Sequence, residues 1–339
     1  MKNETRVVVI TGGTAGVGRA TARRFATSGA SVAILARGRE GLEATRQELM
    51  RLGARSALAI PCDVARAAEV FAAADQIERA LGPIDVWINN AMTTVFGRFR
   101  TLEPEEFERV TDVTYLGFVW GTRAALDRMI PRNRGTIIQV GSALAYRSIP
   151  LQSAYCGAKH AIVGFTDSIR SELEHDELEI KITCVHLPAV NTPQFAWCEN
   201  HMPFEAQPVP PIFQPEIIAN AIHHAASHPR REVFVGWPTI KAVLGQKLVP
   251  GYADRVLARR GFEGQYTEIP RDPTRRSNLY EPIPGDHGAR GRFTLRARER
   301  DLIAFATARV GAAAIVATAA IAALGSAMLL GRWLGKRAA

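Results

Sequence analysis

Short apolar runs alternate with helix-forming stretches along the first 240 residues, and this alternation constrains the fold more than any other feature of the chain. Each run has the length of a strand that is buried on both faces, and most are followed by enough residues for a helix. This order predicts an α/β fold with a doubly wound, mainly parallel sheet of seven strands. The predicted strands are residues 7–10, 32–35, 57–60, 86–88, 137–140, 180–187 and 233–235. Helices are predicted at residues 16–28, 39–51, 65–80, 103–129, 153–175 and 215–227.

The length of 339 residues suits one domain with an appendage, because a single core stops growing near about 250 to 300 residues. The predicted organisation has four parts: a catalytic domain at residues 1–250, a basic linker rich in Pro, Arg and Gly at 251–309, a membrane helix at 310–330 and a basic tail at 331–339. Within residues 251–309, the stretch rich in Pro, Arg, Asp and Gly is either a linker or a loop on the surface of the domain, where residues 280–285 could dock.

Positive charge is concentrated in the last quarter of the chain. Residues 255–339 contain 15 Lys and Arg against 7 Asp and Glu, which accounts for 8 of the 9 net positive charges. A basic segment of this kind favours an anionic surface, and we expect lipid headgroups rather than nucleic acid as its partner. A solvated linker is the alternative interpretation.

Residues 310–330 are a run of 21 residues without a charged side chain. A helix needs about 20 apolar residues to cross the core of a bilayer, and basic residues flank this run on both sides, so it is a candidate transmembrane helix. Nine of its residues are alanine, which makes the run only moderately apolar. A dimerisation helix or an interfacial helix therefore stays open.

Cysteine usage and the N-terminus both predict a cytoplasmic domain. Cys62, Cys156, Cys184 and Cys198 have no metal-ligand spacing and are too few for a disulfide scaffold, so we expect reduced thiols and no metal site. Residues 1–5 are polar and run directly into the first predicted strand. They leave no room for the apolar core of a signal peptide. The predicted protein has a cytoplasmic domain that is anchored to a membrane through its C-terminal helix.

A glycine-rich turn with the sequence TGGTAGVG, residues 11–18, joins the first predicted strand to the first predicted helix. A dinucleotide pyrophosphate binds at such a place, where small residues let it approach the free backbone N–H groups at the start of the helix. The glycines also permit the tight turn. An ordinary turn is the alternative, since this motif by itself is weak evidence. The candidate cofactor contacts in the turn are Gly12, Thr14, Gly16, Val17 and Gly18.

The end of the second predicted strand indicates which dinucleotide would bind. An acidic side chain there would bind the hydroxyls of the adenosine ribose, whereas a guanidinium would bind a 2′-phosphate. Ala36 lies where the acid would be and Arg37 follows it, which predicts a preference for NADP(H) over NAD(H). Asp63 is expected to accept from the adenine amino group, and Asn89 and Ala91 to lie along the path of the cofactor. Each of these could instead be an ordinary turn or surface residue.

Tyr155 and Lys159 lie one helical turn apart, and Ser142 precedes Tyr155 by 13 residues. A phenol has an unperturbed pKa of about 10, so a tyrosine that exchanges a proton near pH 7 needs a cation beside it. Lys159 supplies this cation, because side chains four residues apart lie on the same face of a helix. Ser142, at the end of an apolar strand, can donate to a substrate oxygen. The spacing therefore predicts hydride-transfer chemistry.

The glycine turn, Asn89, Ser142, Tyr155 and Lys159 occur in the order of the short-chain dehydrogenase/reductase family, and residues 5–240 resemble its ordinary-length branch. The resemblance implies a Rossmann fold and a nicotinamide cofactor. It implies Tyr155 as general acid/base, Lys159 as the group that lowers its pKa and binds the nicotinamide ribose, and Ser142 as the group that orients the substrate oxygen. Homodimers or homotetramers are implied as well.

One further position matches the family pattern, and three positions depart from it. Thr192 resembles the family threonine that contacts the nicotinamide carboxamide. Thr114 lies where the family has an asparagine that organises a proton-relay water, so we expect a rearranged relay with Thr114 as a candidate catalytic residue. Met92 replaces a usual glycine, which crowds the nicotinamide or places a flexible apolar wall beside the substrate. Pro188 lies where a glycine is usual and stiffens the backbone.

The residues after Thr192 fall where the family has its substrate lid. Their aromatic and apolar side chains predict an apolar pocket, with core packing as the alternative. We therefore expect an NADP(H)-dependent oxidoreductase that interconverts a carbonyl and an alcohol on a lipophilic small molecule. A catalytically weak, membrane-bound NADP(H) sensor and an epimerase or dehydratase of the same fold are the alternatives. The lid side chains are Phe195, Trp197, Met202, Phe204 and Phe213.

Overall fold

The computed structural model of the protein describes residues 6–300, which form a seven-stranded sheet with helices on both faces. All neighbouring strands of this sheet pair in parallel, in the order β7-β6-β5-β4-β1-β2-β3. This confirms the predicted doubly wound α/β fold. The strands are β1 (Val7–Thr11), β2 (Ser31–Ala36), β3 (Ser56–Pro61), β4 (Val86–Asn89), β5 (Thr136–Val140), β6 (Lys181–His186) and β7 (Glu232–Phe234).

Nine α-helices lie within the described residues, and the predicted helices correspond to α1 through α7. The stretch predicted as one helix over 103–129 is divided, because Asp112–Leu116 form a π-helical turn between α4 and α5. The helices are α1 (Gly16–Ala26), α2 (Arg39–Arg51), α3 (Ala67–Leu81), α4 (Pro104–Thr111), α5 (Gly117–Met129), α6 (Ser153–His175), α7 (Pro215–Ser227), α8 (Trp237–Leu248) and α9 (Pro250–Arg260).

Strand β1, beside the middle of the sheet, is buried along its whole length and separates two hydrophobic cores. Its side chains alternate between the faces of the sheet, as those of any strand do. Val8 and Ile10 pack in the core that contains α1 and α7, whereas Val7 and Val9 pack in the core that contains α3 and α5. Because the strand order reverses between β1 and β4, a crevice opens at their carboxyl ends, where open α/β sheets bind ligands.

The chain after α9 packs on the domain. Tyr266–Pro270 pairs with Phe204–Ala206, and Ala297–Arg298 pairs with Ile212–Phe213. Leu279 is buried between these pairings, so this stretch lies as a loop on the domain, which is one of the two interpretations of its sequence. Within residues 6–300, no helix is long and apolar enough to span a membrane, and the predicted membrane helix at 310–330 lies outside the described residues.

Candidate active site

A cavity of about 470 Å³ lies along the carboxyl ends of the strands. One end, called the β2 end here, surrounds Arg37, and the other, the α6 end, surrounds Tyr155. Most of the predicted site residues line this cavity, whereas Gly18, Asn89 and Thr114 do not. The predicted residues that line it are Gly12, Thr14, Gly16, Val17, Arg37, Asp63, Ala91, Ser142, Tyr155, Lys159 and Thr192.

The glycine turn lies midway between the two ends and has room only for glycine at key positions. Gly12 and Gly16 adopt φ of +65° and +56°, which other residues rarely adopt. A Cβ on Gly12 would lie 2.8 Å from the Cα of Ala91, and one on Gly18 would strike the carbonyl of Gly12. The turn therefore presents bare backbone at the start of α1, which fits a dinucleotide pyrophosphate.

Asn90 fixes the glycine turn, whereas its neighbour Asn89 is the predicted cofactor contact. The Asn90 side-chain amide donates to the carbonyls of Thr11 and Gly12 at 2.9 and 3.2 Å. Asn89 faces away from the cavity and accepts from the Trp87 indole at 2.8 Å. Residues two apart on a strand point to the same face, so Asn89 shares the buried face of Trp87. The next residue, Asn90, points the other way, and this alternation is the sequence signal that identifies it.

At the β2 end of the cavity, Arg37 contacts residues 278–288, a segment from the C-terminal part of the chain that we call the strap. The Arg37 guanidinium donates to the backbone carbonyls of Asn278, Leu279 and Tyr280, with distances of 3.4 Å to Leu279 and 2.6 Å to Tyr280. No local sequence pattern predicts this contact, since the partners are more than 240 residues apart. Three of the five guanidinium N–H groups bind the strap, which leaves two for another acceptor.

A second arginine stands beside Arg37. Arg109 of α4 donates to Asp63 at 2.7 Å and to the carbonyl of Leu279 at 3.0 Å. Asp63 thus lines the cavity as predicted, but its carboxylate already binds a guanidinium. Burial and then the nearby Arg109 charge lower the pKa of Arg37. The β2 end thus holds two guanidinium groups, which are donors that a phosphate prefers, with the Asp63 and Glu281 carboxylates close by.

At the α6 end, the side chains of Ser142, Tyr155 and Lys159 meet. Burial raises the pKa of the Tyr155 phenol, and a hydrogen bond with Ser142 opposes this rise without cancelling it. Lys159 is almost fully buried, and its Nζ donates to the carbonyl of Val140 at 2.8 Å. Burial lowers the pKa of Lys159 to about 7. The Nζ lies 5.6 Å from the centre of the Tyr155 ring and 4.4 Å from that of Phe118.

The expected lowering of the Tyr155 pKa by Lys159 is not found in this structure, because burial raises that pKa instead. A buried phenolate and a buried ammonium both lose hydration, so burial favours the neutral form of each. The phenol is protonated at pH 7, and it can act as an acid toward a substrate oxygen bound beside Ser142.

Thr114 supports the backbone of the cavity wall and is fully buried behind it. Its hydroxyl donates to the carbonyl of Thr93 at 2.9 Å and accepts from the Thr93 N–H at 3.0 Å. Both hydrogen bonds fix the chain next to Met92, which lines the cavity as an apolar wall. Thr114 lies at the π-helical turn, a feature that is frequent at functional sites.

A polar network that the sequence analysis missed supports Ser142 from behind. His186 Nδ1 lies 3.3 Å from the Ser142 carbonyl, and its Nε2 lies 3.0 Å from a carboxylate oxygen of Glu232. The Tyr146 hydroxyl donates to the same carboxylate. Burial opposes the ionisation of Glu232, but these hydrogen bonds outweigh it and lower its pKa to about 2.

The predicted lid is partly in place. Phe195 and Trp197 line the cavity, together with Pro188. Phe204 instead stacks on Tyr266, and Phe213 is fully buried in the core. The lining of the cavity thus includes apolar side chains, although only two of the five predicted aromatic and apolar lid residues belong to it.

Among the described residues, one group of side chains has metal-binding geometry, and it lies outside the cavity. Glu106, Glu199 and His201 place their ligand atoms within 4.8 Å of one another. His201 Nε2 already pairs with the Glu106 carboxylate at 2.8 Å. A hydrogen bond between these two side chains accounts for their approach.

Comparison with known proteins agrees with this geometry. A family model described as short chain dehydrogenase matches residues 6–201. The uncharacterized oxidoreductase YxnA of Bacillus subtilis is 34% identical over 321 residues, which cover 93% of this chain and 89% of that protein. Dehydrogenase/reductase SDR family member 7B of Bos taurus is 36% identical over 181 residues, covering 52% of this chain and 56% of that protein. Estradiol 17-beta-dehydrogenase 11 of Pongo abelii is 28% identical over 255 residues, covering 75% and 82%.

Proposed function

The chain belongs to the short chain dehydrogenase family, and from this premise we propose that it is an NADP(H)-dependent oxidoreductase that interconverts carbonyl and alcohol groups on a lipophilic substrate. One observation carries the proposal. A single cavity joins the catalytic side chains Ser142, Tyr155 and Lys159 at the α6 end to Arg37 at the β2 end, with the glycine turn between them.

The proposed mechanism assigns a task to each catalytic side chain. When bound, a reduced nicotinamide cofactor supplies a hydride to the carbonyl carbon. The hydroxyls of Ser142 and Tyr155 bind the carbonyl oxygen, and Tyr155 donates its proton as negative charge develops there. The raised pKa of Tyr155 means that the phenol is protonated at pH 7 before the reaction begins. In its protonated form, Lys159 then stabilises the phenolate that remains.

The preference for NADP(H) rests on the β2 end. Ala36 provides no carboxylate for a ribose hydroxyl, and the two free N–H groups of the Arg37 guanidinium can bind a 2′-phosphate in a charge-assisted manner. Arg109 adds a second positive charge close by. These groups favour a phosphate over a hydroxyl.

The lipophilic substrate is supported by apolar side chains that line the cavity, among them Met92, Phe195 and Trp197. The name of a relative at 28% identity includes estradiol, and estradiol is a largely apolar molecule with a secondary alcohol group. We also propose that residues 310–330 anchor the cytoplasmic domain to membrane lipid, and that a homodimer or homotetramer forms through the helices that carry Thr114 and Tyr155. Flotation with vesicles and light scattering test these two proposals.

The test of the reaction is cofactor oxidation by the purified full-length protein. NADPH and NADH are offered separately with a panel of apolar aldehydes and ketones and with matched polar carbonyls. We expect turnover with NADPH to exceed turnover with NADH, and apolar carbonyls to exceed polar ones. Equal rates with both cofactors would refute the preference, and equal rates across the panel would refute the lipophilic substrate.

A further inference from the structure

We propose that the strap, residues 278–288, is a gate over the cofactor cavity that must open for the cofactor to enter and to leave. The strap lies beyond the part of the chain that matches the family model. Its residues Pro282, Ile283 and His287 line the cavity, so it forms one of the cavity walls. The inference rests on the proposed function only in requiring that a nicotinamide cofactor binds there.

The first part of the strap binds the two cations of the β2 end. Arg37 and Arg109 donate to its backbone carbonyls, and the Leu279 side chain is buried against α4 and α6 in a cluster that includes Val110 and Ala154. These contacts anchor one end of the strap beside the expected position of the adenosine.

The last part of the strap binds the start of α1. Asp286 pairs with Arg19 at 3.1 Å, and the Gly288 carbonyl accepts from the N–H of Gly16 at 3.1 Å. The N–H groups at a helix start and a guanidinium are the donors that phosphate groups prefer. The strap is thus attached beside Arg37 at one of its ends and beside the start of α1 at the other, which are the two places where the cofactor would present a phosphate.

The attachment of the strap is polar along most of its length. Leu279 is its one fully buried large apolar side chain, and the His287 ring touches Trp197 with ring centres 4.6 Å apart. A segment with few buried apolar contacts detaches locally at a modest cost in free energy. The strap can therefore open while the sheet and the helices stay folded.

A gate makes a kinetic prediction that an ordinary binding residue does not make. Loosening a gate raises the rate constants for association and dissociation by the same factor and leaves Kd unchanged, because the free and the bound protein both open more often. Losing a direct contact with the ligand raises dissociation alone and weakens binding by the same factor.

The experiment measures both rate constants for NADPH by stopped-flow fluorescence with the full-length protein, with NADH in parallel. Asp286→Asn removes the charge that pairs with Arg19, and His287→Ala removes the ring against Trp197. We expect each to raise both rate constants about three- to tenfold, as the loss of one partly exposed ion pair or ring contact allows, with Kd changed by less than about twofold. The control is Glu299→Gln, which removes a carboxylate that lies after the strap in the chain and pairs with Arg290. It should change neither rate constant.

Two results would overturn the gate while leaving the proposed function intact. Unchanged rate constants in both strap variants would show that the cofactor passes without movement of the strap. Faster dissociation with unchanged association would show that Asp286 and His287 are ordinary binding residues. If the wild type binds neither NADPH nor NADH in a fluorescence titration, the gate and the proposed cofactor fail together.

Discussion

The two ends of the cavity are built from parts of the chain that differ in how far apart they lie in sequence. At the α6 end, Ser142, Tyr155 and Lys159 come from 18 consecutive residues that include one strand end and one helix. At the β2 end, Arg37 binds carbonyls more than 240 residues away, and Arg109 of α4 joins them. One end is determined by local sequence, and the other by the path of the whole chain.

The two ends also differ in how firmly they are held. Lys159 and Ser142 are buried, and the sheet fixes the backbone beside them, as in the 2.8 Å hydrogen bond from Gly141 to Val185. The strap depends mainly on hydrogen bonds and one ion pair at its ends. The rigid end suits chemistry that requires fixed geometry, and the loosely held end suits the exchange of a cofactor.

The largest expected effect is at the α6 end. Tyr155→Phe removes the proton donor and keeps the ring, so we expect turnover to fall by about 10²- to 10⁴-fold. NADPH affinity should stay within about twofold, since the ring and Lys159 remain in place. Tyr252→Phe, on an exposed tyrosine, is the matched control. Retention of activity by Tyr155→Phe would favour a cofactor sensor over an enzyme.

The fold and the α6 end could be predicted because their signals are local. Seven apolar runs with helices between them define the sheet, and in a parallel sheet the carboxyl ends of the strands meet at one edge, which brings the glycine turn to Ser142. Tyr155 and Lys159 share a helix face by their spacing alone. Asn89, the predicted cofactor contact, faces away from the cavity, because a shift by one residue along a strand exchanges the two faces of the sheet.

The β2 end could be predicted only in part. Arg37 and Asp63 follow strands, and both line the cavity as expected. Their partners could not be predicted, because Arg109 and the strap reach them through contacts between distant parts of the chain. The hydrogen bonds between Thr114 and Thr93, and the network at His186, could not be predicted for the same reason. Hydrogen bonds between segments leave no periodic pattern in a sequence.

Burial of Lys159 should make stability depend on pH in the cofactor-free protein. The pKa is lowered to about 7 in the folded state, whereas an unfolded lysine has a pKa of about 10.4. The unfolded state therefore binds the extra proton between these values, and the free energy of unfolding rises with pH from 7 upward. Relative to Lys159→Met, we expect the wild type to gain up to about 2–3 kcal/mol between pH 7 and pH 9 in urea unfolding.

The control for this prediction is Lys241→Met, on an exposed lysine, which should show no such difference. A wild-type advantage over Lys159→Met that is the same at pH 7 and pH 9 would show that Lys159 keeps its ordinary pKa. The rigid α6 end would then be better solvated than its geometry indicates.

At the β2 end, Arg37→Ala separates binding of the phosphate from binding of the strap. Loss of charge-assisted hydrogen bonds to a 2′-phosphate, about 1.5–3 kcal/mol, should lower kcat/KM with NADPH about 10- to 100-fold, with less than about a threefold change for NADH. The exposed neighbour Arg39→Ala is the matched control. Equal losses with both cofactors would mean that Arg37 serves the strap alone.

The smallest expected effect lies behind Ser142, at Glu232. Its pKa of about 2 is below the unfolded value of about 4.3, so its carboxylate contributes stability above pH 4.3 that is lost as the pH falls toward 2. Glu232→Gln should cost about 1–2 kcal/mol in urea unfolding at pH 7 and almost nothing near pH 2, whereas the exposed Glu179→Gln should cost nothing at either pH. A cost that persists near pH 2 would indicate lost packing instead of lost charge.

Turnover of Glu232→Gln should stay within about threefold of the wild type, because the hydrogen bond from the Ala143 N–H to the Leu187 carbonyl, at 2.9 Å, still holds the backbone next to Ser142.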